Sequence, residues 1–199
     1  MVPPINIPGA HKLPAVLAAG EKEKFTPVEI KADDLAVLQY TGGTTGVAKG
    51  AMLTHANLMA NLIQVRPMLE GLIVDGEETI IAPLPLYHIY SFTLNCGIML
   101  EAGAHNVLIP NPRDIPGFAK ELKNHKFSAF MGLNTLFVAL CNNENFQDLD
   151  FSGLKLTASG GMALTSDTAK TWQRVTGTEI CEGYGLTETS PVVTFNPPS

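Results

Sequence analysis

Leu35-Ala36-Val37-Leu38-Gln39-Tyr40 runs without a break into Thr41-Gly42-Gly43-Thr44-Thr45-Gly46-Val47-Ala48-Lys49-Gly50. The first six residues read as a short apolar strand and the rest as a glycine-threonine loop. Gly42, Gly43, Gly46 and Gly50 let the backbone turn tightly and expose its N–H groups. Thr41, Thr44 and Thr45 add hydroxyl donors, and Lys49 adds a mobile positive charge. Convergent donors and a cation on a loop after a strand suit a polyphosphate. The pattern is not a Walker A loop, because Lys49 follows Ala48 and precedes Gly50, and it is not a Gly-x-Gly-x-x-Gly dinucleotide turn. The plain alternative is a surface loop without a ligand.

Outward from this loop, strand and helix alternate. Thr54 is placed to cap a helix over 55–69, with Leu58, Leu62, Val65 and Leu69 on one face. Further strands are expected at 79–82, 106–109, 128–131, 154–158 and 179–182. Further helices are expected at 91–100, 115–122, 135–141 and 166–175, the first apolar nearly all round. Such alternation predicts a layered α/β fold with mostly parallel pairing. Residues 1–33, broken by Pro3, Pro4, Pro8, Pro14 and Pro27, are expected to be an irregular lead-in to a domain over 34–199.

Composition agrees with a covered sheet. Of 199 residues 45% are apolar and 16% charged, where roughly 25% charged is usual. The net charge of -6, with no basic run, argues against a nucleic-acid partner. Cys96, Cys141 and Cys181 show no Cys-x-x-Cys spacing and read as ordinary thiols in a reducing compartment. No apolar run reaches the roughly 18 residues of a membrane span, and no signal peptide is expected at the start.

A second glycine turn stands at Glu182-Gly183-Tyr184-Gly185-Leu186-Thr187-Glu188. Tyr184 offers a ring for a purine and Thr187 a hydroxyl for a phosphate. The Glu188 carboxylate would be repulsive beside phosphates unless it held Mg²⁺. A helix cap or surface turn is the alternative. Ser159-Gly160-Gly161-Met162 ends another expected strand, and its glycines would let a planar group pass near the backbone. His88 lies in the proline-stiffened Leu84-Pro85-Leu86-Tyr87-His88-Ile89-Tyr90; a buried, hydrogen-bonded histidine is the alternative there. No metal-ligand spacing surrounds it, and no Gly-x-Ser-x-Gly elbow supports a hydrolase.

Residues 40–50 resemble the phosphate signature of the adenylate-forming (AMP-binding) superfamily, and 184–188 its second core motif. Around them, residues 38–60, 83–88, 111–117 and 182–188 resemble the long-chain fatty acid–CoA ligases. The resemblance implies part of the large N-terminal α/β domain and a two-step reaction. A fatty acid carboxylate attacks the α-phosphate of ATP, and the coenzyme A thiol then displaces AMP. It implies that Thr41, Gly42, Gly43, Thr44, Thr45, Gly46 and Lys49 hold the β- and γ-phosphates. Tyr184, Gly160 and Gly161 would line the adenine and acyl sides, Thr187 and Glu188 would act at the phosphates and Mg²⁺, and His88 would stand where the ATP site meets an acyl tunnel. Phe92, four residues after His88, would close that tunnel after one helical turn. ATP, Mg²⁺ and coenzyme A are the expected cofactors and co-substrates. A cytoplasmic enzyme, peripheral at the inner membrane face and homodimeric, is the expected setting. The chain resembles only the middle third of such enzymes. The ribose-binding aspartate, the hinge and the catalytic-lysine domain are therefore expected outside it, and the isolated chain is expected to be inactive. The competing readings are a ligase for a short-chain, aromatic or amino acid, and a nucleotide-binding module without catalysis.

Overall fold

The computed structural model describes residues 7–41 and 46–196, and the chain divides into units 1–31 and 32–199. The first unit contains a helix, α1 (Leu13–Gly20), where an irregular segment was expected. Pro14 does not prevent it, because proline is tolerated in the first helical turn, where its missing N–H has no partner to lose. None of the α1 residues is buried.

In the second unit β1 (Leu35–Thr41) pairs antiparallel with β2 (Lys49–Thr54), in the register Tyr40↔Gly50 and Thr41↔Lys49. The glycine-threonine segment therefore joins the arms of a hairpin, and β2 is a strand the sequence reading lacked. Lys49, Gly50 and Ala51 are weak strand formers, and cross-strand pairing overrides them. The Tyr40 ring covers Gly50, since a Cβ there would lie 3.6 Å from it.

Helix α2 (His55–Val65) starts at Thr54, whose Oγ1 accepts from Asn57 N–H while Asn57 Oδ1 accepts from Thr54 N–H. These reciprocal bonds satisfy donors that the helix itself leaves open. The expected helix tightens to a 3₁₀ turn at Arg66–Leu69, where Pro67 has no N–H to continue it.

Six strands form the main sheet in the order β4-β3-β5-β6-β7-β8: β3 (Thr79–Ala82), β4 (His105–Leu108), β5 (Ala129–Gly132), β6 (Leu156–Ser159), β7 (Ile180–Gly185) and β8 (Val192–Phe195). All neighbours are parallel except β7 and β8. The expected strands are present within a few residues of their predicted ends, but β7 runs on through Gly185, and β8 was unforeseen. The helices between them are α3 (Ile89–Ser91), α4 (Met99–Glu101), α5 (Ile115–Leu122), α6 (Asn134–Cys141), α7 (Glu144–Gln147) and α8 (Ser166–Thr176). Between α3 and α4 residues Phe92–Ile98 are π-helical, where a plain α-helix was expected.

Successive β5 residues feed opposite faces. Phe130 joins the aromatic core of Phe118, Phe137, Phe146 and Trp172, whereas Ala129 and Met131 join the core under α2 and the π-helix. Trp172 is fully buried, and its Nε1–H donates to Thr157 Oγ1 at 3.1 Å, so its polar edge carries no penalty. With both faces covered, the strands need no polar alternation.

One buried charge gives a pH test. Glu78 is 2% exposed, and its Oε1 accepts from Val74 N–H and from Lys155 Nζ, each at 2.9 Å. Burial raises its pKa, but the Ser128 hydroxyl, Lys155 and the Val74 N–H outweigh burial and hold it below the ordinary value. A depressed folded pKa gives stability that is complete above the unfolded pKa and is lost as pH falls through the folded one. Glu78→Gln should therefore flatten the acid limb of a plot of melting temperature against pH. An unchanged acid limb would show that Glu78 does not contribute to it.

Candidate functional site

The parallel strands end on one side of the sheet, and the chain segments leaving β3, β6 and β7 meet there. In open α/β sheets this is where ligands bind, because loops at the strand ends leave a crevice. A cavity of about 330 Å³ opens at that place. Thr41, His88, Gly160, Gly161, Tyr184, Thr187 and Glu188 all line it. Residues as far apart as Thr41 and Glu188 thus face one space. Gly42, Gly43, Thr44 and Thr45 lie outside the described residues.

The hairpin is anchored at this mouth. Gln39 Nε2 donates to Tyr87 O at 3.0 Å, tying β1 to the segment that leads to His88. Thr41 Oγ1 donates to Lys49 O at 3.3 Å, which fixes the base of the loop. Gly46 adopts φ 113°, a value that L side chains rarely reach. Lys49 and Gly46 are exposed and do not line the cavity. Among the described residues the Lys49 side chain has no ion-pair partner.

His88 is exposed, so it is not the buried core histidine that the sequence left open. Its Nδ1 accepts from Tyr90 N–H at 3.2 Å, capping α3. That bond assigns the ring proton to Nε2 whenever the imidazole is neutral.

β7 carries Glu182–Gly185 as strand, and the chain then turns through a 3₁₀ segment, Thr187–Thr189, into β8. The turn is fixed by Leu186 N–H donating to Pro191 O at 3.1 Å and to Thr189 Oγ1 at 3.0 Å. It presents Thr187 and Glu188 to the cavity, and the turn packs against β2. Glu188 is exposed and, among the described residues, makes no hydrogen bond or ion pair. Tyr184 is 60% exposed, leaving its ring open for stacking.

Two features change the expected roles. Gly160 does leave room for a planar group, but the group already there is Tyr90: a Cβ on Gly160 would stand 3.3 Å from Tyr90 Cζ. Phe92 is not on the cavity wall, whereas Thr93, Leu94 and Ile98 are. The α turn that the spacing expected is present, Phe92 N–H donating to His88 O at 2.8 Å, and the π turns begin only at Phe92.

Away from the mouth the wall is apolar. Val65 and Leu69, from the inner face of α2 and its 3₁₀ extension, meet Leu94, Ile98, Leu156 and Phe195. The sequence places Val65 and Leu69 on one apolar helix face, and helical period alone does not separate a core face from a cavity wall. Among the described residues Tyr90 Oη and Ser159 Oγ are buried without a hydrogen-bond partner, and both residues line the cavity. Burial and the nearby Cys181 push the Tyr90 phenol far up, and burial with Glu179 pushes the Cys181 thiol to about 11. Both groups are therefore neutral near pH 7 and carry no nucleophile or charge into the site.

A parallel sheet with a polar, hydroxyl-rich mouth at its strand ends and an apolar chamber beneath defines a ligand-binding α/β enzyme domain. The chain belongs to the AMP-binding enzyme family, whose pattern matches residues 7–199. It is 51% identical over 197 residues to the long-chain-fatty-acid–CoA ligase of Salmonella typhimurium, covering 99% of this chain and 35% of that protein. Among solved structures it is similar to ATP-bound MatB from Rhodopseudomonas palustris, with TM-score 0.76 and 30% identity, covering 92% of this chain and 35% of that one. It is also similar to a long-chain-fatty-acid-CoA ligase from Archaeoglobus fulgidus, with TM-score 0.71 and 26% identity, covering 88% and 36%. The chain thus spans about a third of the length of the curated relatives it matches. The layered α/β architecture expected from the sequence is the one these relatives share.

Proposed function

We propose that this chain forms the nucleotide- and acyl-binding part of an ATP-dependent long-chain fatty acid–CoA ligase. The observation that carries the reading is one cavity with two chemistries. Its mouth holds Thr41, Tyr184, Thr187 and Glu188, and its depth is lined by Val65, Leu69, Leu94 and Ile98. A fatty acid presents the same division, a carboxylate on an apolar chain.

In this reading Thr41, with Gly42–Gly46 and Lys49, binds the β- and γ-phosphates, and Tyr184 stacks on adenine. His88 orients the carboxylate where mouth and chamber meet, and Thr187 donates to a phosphate oxygen. Glu188 suits Mg²⁺, which is usually held by one or two carboxylates together with substrate phosphates and water. Among the described residues no cluster of three ligand side chains offers an all-protein cage, so a lone, unpaired Glu188 fits that use. Bound there, Mg²⁺ would neutralise charge on the phosphates. Coenzyme A would then accept the acyl group from its adenylate. Among the described residues no helix is long and apolar enough to cross a membrane. Cytoplasmic location, peripheral attachment at the inner membrane face and homodimerisation of the full-length protein belong to the proposal. Vesicle flotation and light scattering test the last two.

The chamber gives the decisive experiment. Leu94→Phe should shorten it and exclude the far end of a long chain. Each methylene left in water forfeits roughly 0.8 kcal/mol, so losing two or three lowers kcat/KM for palmitate by roughly 15- to 60-fold. Octanoate should be spared, KM for ATP should hold, and Phe92→Ala, off the wall, should leave the palmitate-to-octanoate ratio unchanged. An equal fall for both acids would remove the acyl chamber from the proposal.

A further inference from the structure

The segment from Ser190 to Val192 joins the Glu188 turn to β8, and side chains from two other elements hold its backbone. Asn61 Nδ2 donates to Val192 O at 2.8 Å, and Val192 N–H donates to Asn61 Oδ1 at 3.0 Å. Thr93 Oγ1 donates to Ser190 O at 3.3 Å. Asn61 and Thr93 are each 4% exposed. β8 stands at the end of the sheet, so among the described residues Val192 has no strand on its outer side. The Asn61 carboxamide, with one donor and one acceptor, takes the place of a neighbouring strand at that residue.

Asn61 shares the inward side of α2 with Leu62 and Val65, where a leucine would pack without any polar group to satisfy. What the amide adds is position. α2 continues directly from β2, with its first turn fixed by the Thr54–Asn57 capping bonds, and β2 sets the register of Thr41 and Lys49. Asn61 does not line the cavity. Through it, however, the strand that returns from the Glu188 turn is fastened to the helix that leaves the phosphate hairpin.

We propose that Asn61 is a positioning residue for ATP activation, setting the placement of Thr187 and Glu188 against the phosphate hairpin, with Thr93 as a second clamp. This rests on the ligase reading above. The test uses the full-length protein and ATP–pyrophosphate exchange with palmitate. Asn61→Leu should raise KM for Mg·ATP and lower exchange by about 10²-fold, the scale of a misplacement near 1 Å, while KM for palmitate holds. In a Glu188→Gln background the same change should cost little further, because its effect passes through Glu188. Thr93→Val, which keeps the shape of the cavity wall, should show a smaller change of the same kind and decides the matter if Asn61→Leu does not fold. Multiplicative losses with Glu188→Gln, or an unchanged KM for Mg·ATP in Thr93→Val, would overturn the proposal. If the wild type shows no exchange with any acid, the ligase reading fails. The clamp is then judged by calorimetric ATP affinity with and without Mg²⁺, where equal values for wild type and both variants sink it, as does a wild type that binds no ATP.

Discussion

Glu188→Gln in the full-length protein should lower ATP–pyrophosphate exchange by about 10²- to 10³-fold, the effect of removing one preorganised electrostatic partner of a transition state. The melting temperature should stay within about a degree, since exposed substitutions away from structural features usually change stability by less than about 0.5 kcal/mol. The separation of the two effects follows from the geometry. Glu188 is exposed and lines the cavity. The turn around it is held by Leu186, Thr189 and Pro191, not by its carboxylate. Removing the charge therefore leaves the turn standing. Excess Mg²⁺ should recover only part of the loss, because glutamine keeps an oxygen ligand without the charge. Exchange at the wild-type rate under saturating Mg²⁺ would show that Glu188 is not a ligand.

Gly185→Ala should do the opposite and remove fold and activity together. A Cβ at Gly185 would stand 2.1 Å from Pro191 O, 2.8 Å from Pro191 C and 3.3 Å from Val192 Cα. These are backbone atoms, so no side chain can swing aside. Gly185 pairs with Val192 where the β7–β8 register shifts, and the Pro191 carbonyl in the way accepts from Leu186 N–H. Making room means prising β8 from β7 and losing that bond. Overpacking costs typically 1–3 kcal/mol when neighbours can yield, and rigid backbone places this substitution at or above about 3 kcal/mol. Thermal melts and exchange assays on one preparation check it. A Gly185→Ala protein that melts like the wild type would refute the close approach of the two strands.

The contrast between these two residues of one short motif shows what a sequence carries. Glu188 stands out in the sequence as a carboxylate in a glycine turn, it is exposed on the cavity wall, and the metal role proposed for it belongs to the side chain itself. Gly185 was read as turn flexibility, yet its necessity comes from Pro191, six positions later, which folds back over it. Phe92 shows a related limit: the α turn expected from His88 is there, Phe92 N–H donating to His88 O at 2.8 Å, but spacing alone does not say which residues of that turn line the cavity, and Thr93 and Leu94 do. Helix α1 was missed because five prolines were counted as breakers, while Pro14 sits where a helix accepts one.

Local pattern by itself determined the alternation of strands and helices, the Thr54 cap, the two glycine motifs and the hydroxyls and carboxylate they carry. Each depends on residues a few positions apart, within reach of backbone propensity and side-chain period. Only the tertiary structure decided the strand order, the pairing that turns the first motif into a hairpin and adds β8 after the second, and the single cavity that Thr41 and Glu188 share. It also decided that Tyr90 fills the space over Gly160 and that Asn61 holds Val192. These are contacts between groups as many as 131 positions apart. Their energies depend on which surfaces the fold brings together, and neither partner's neighbours in sequence record the other.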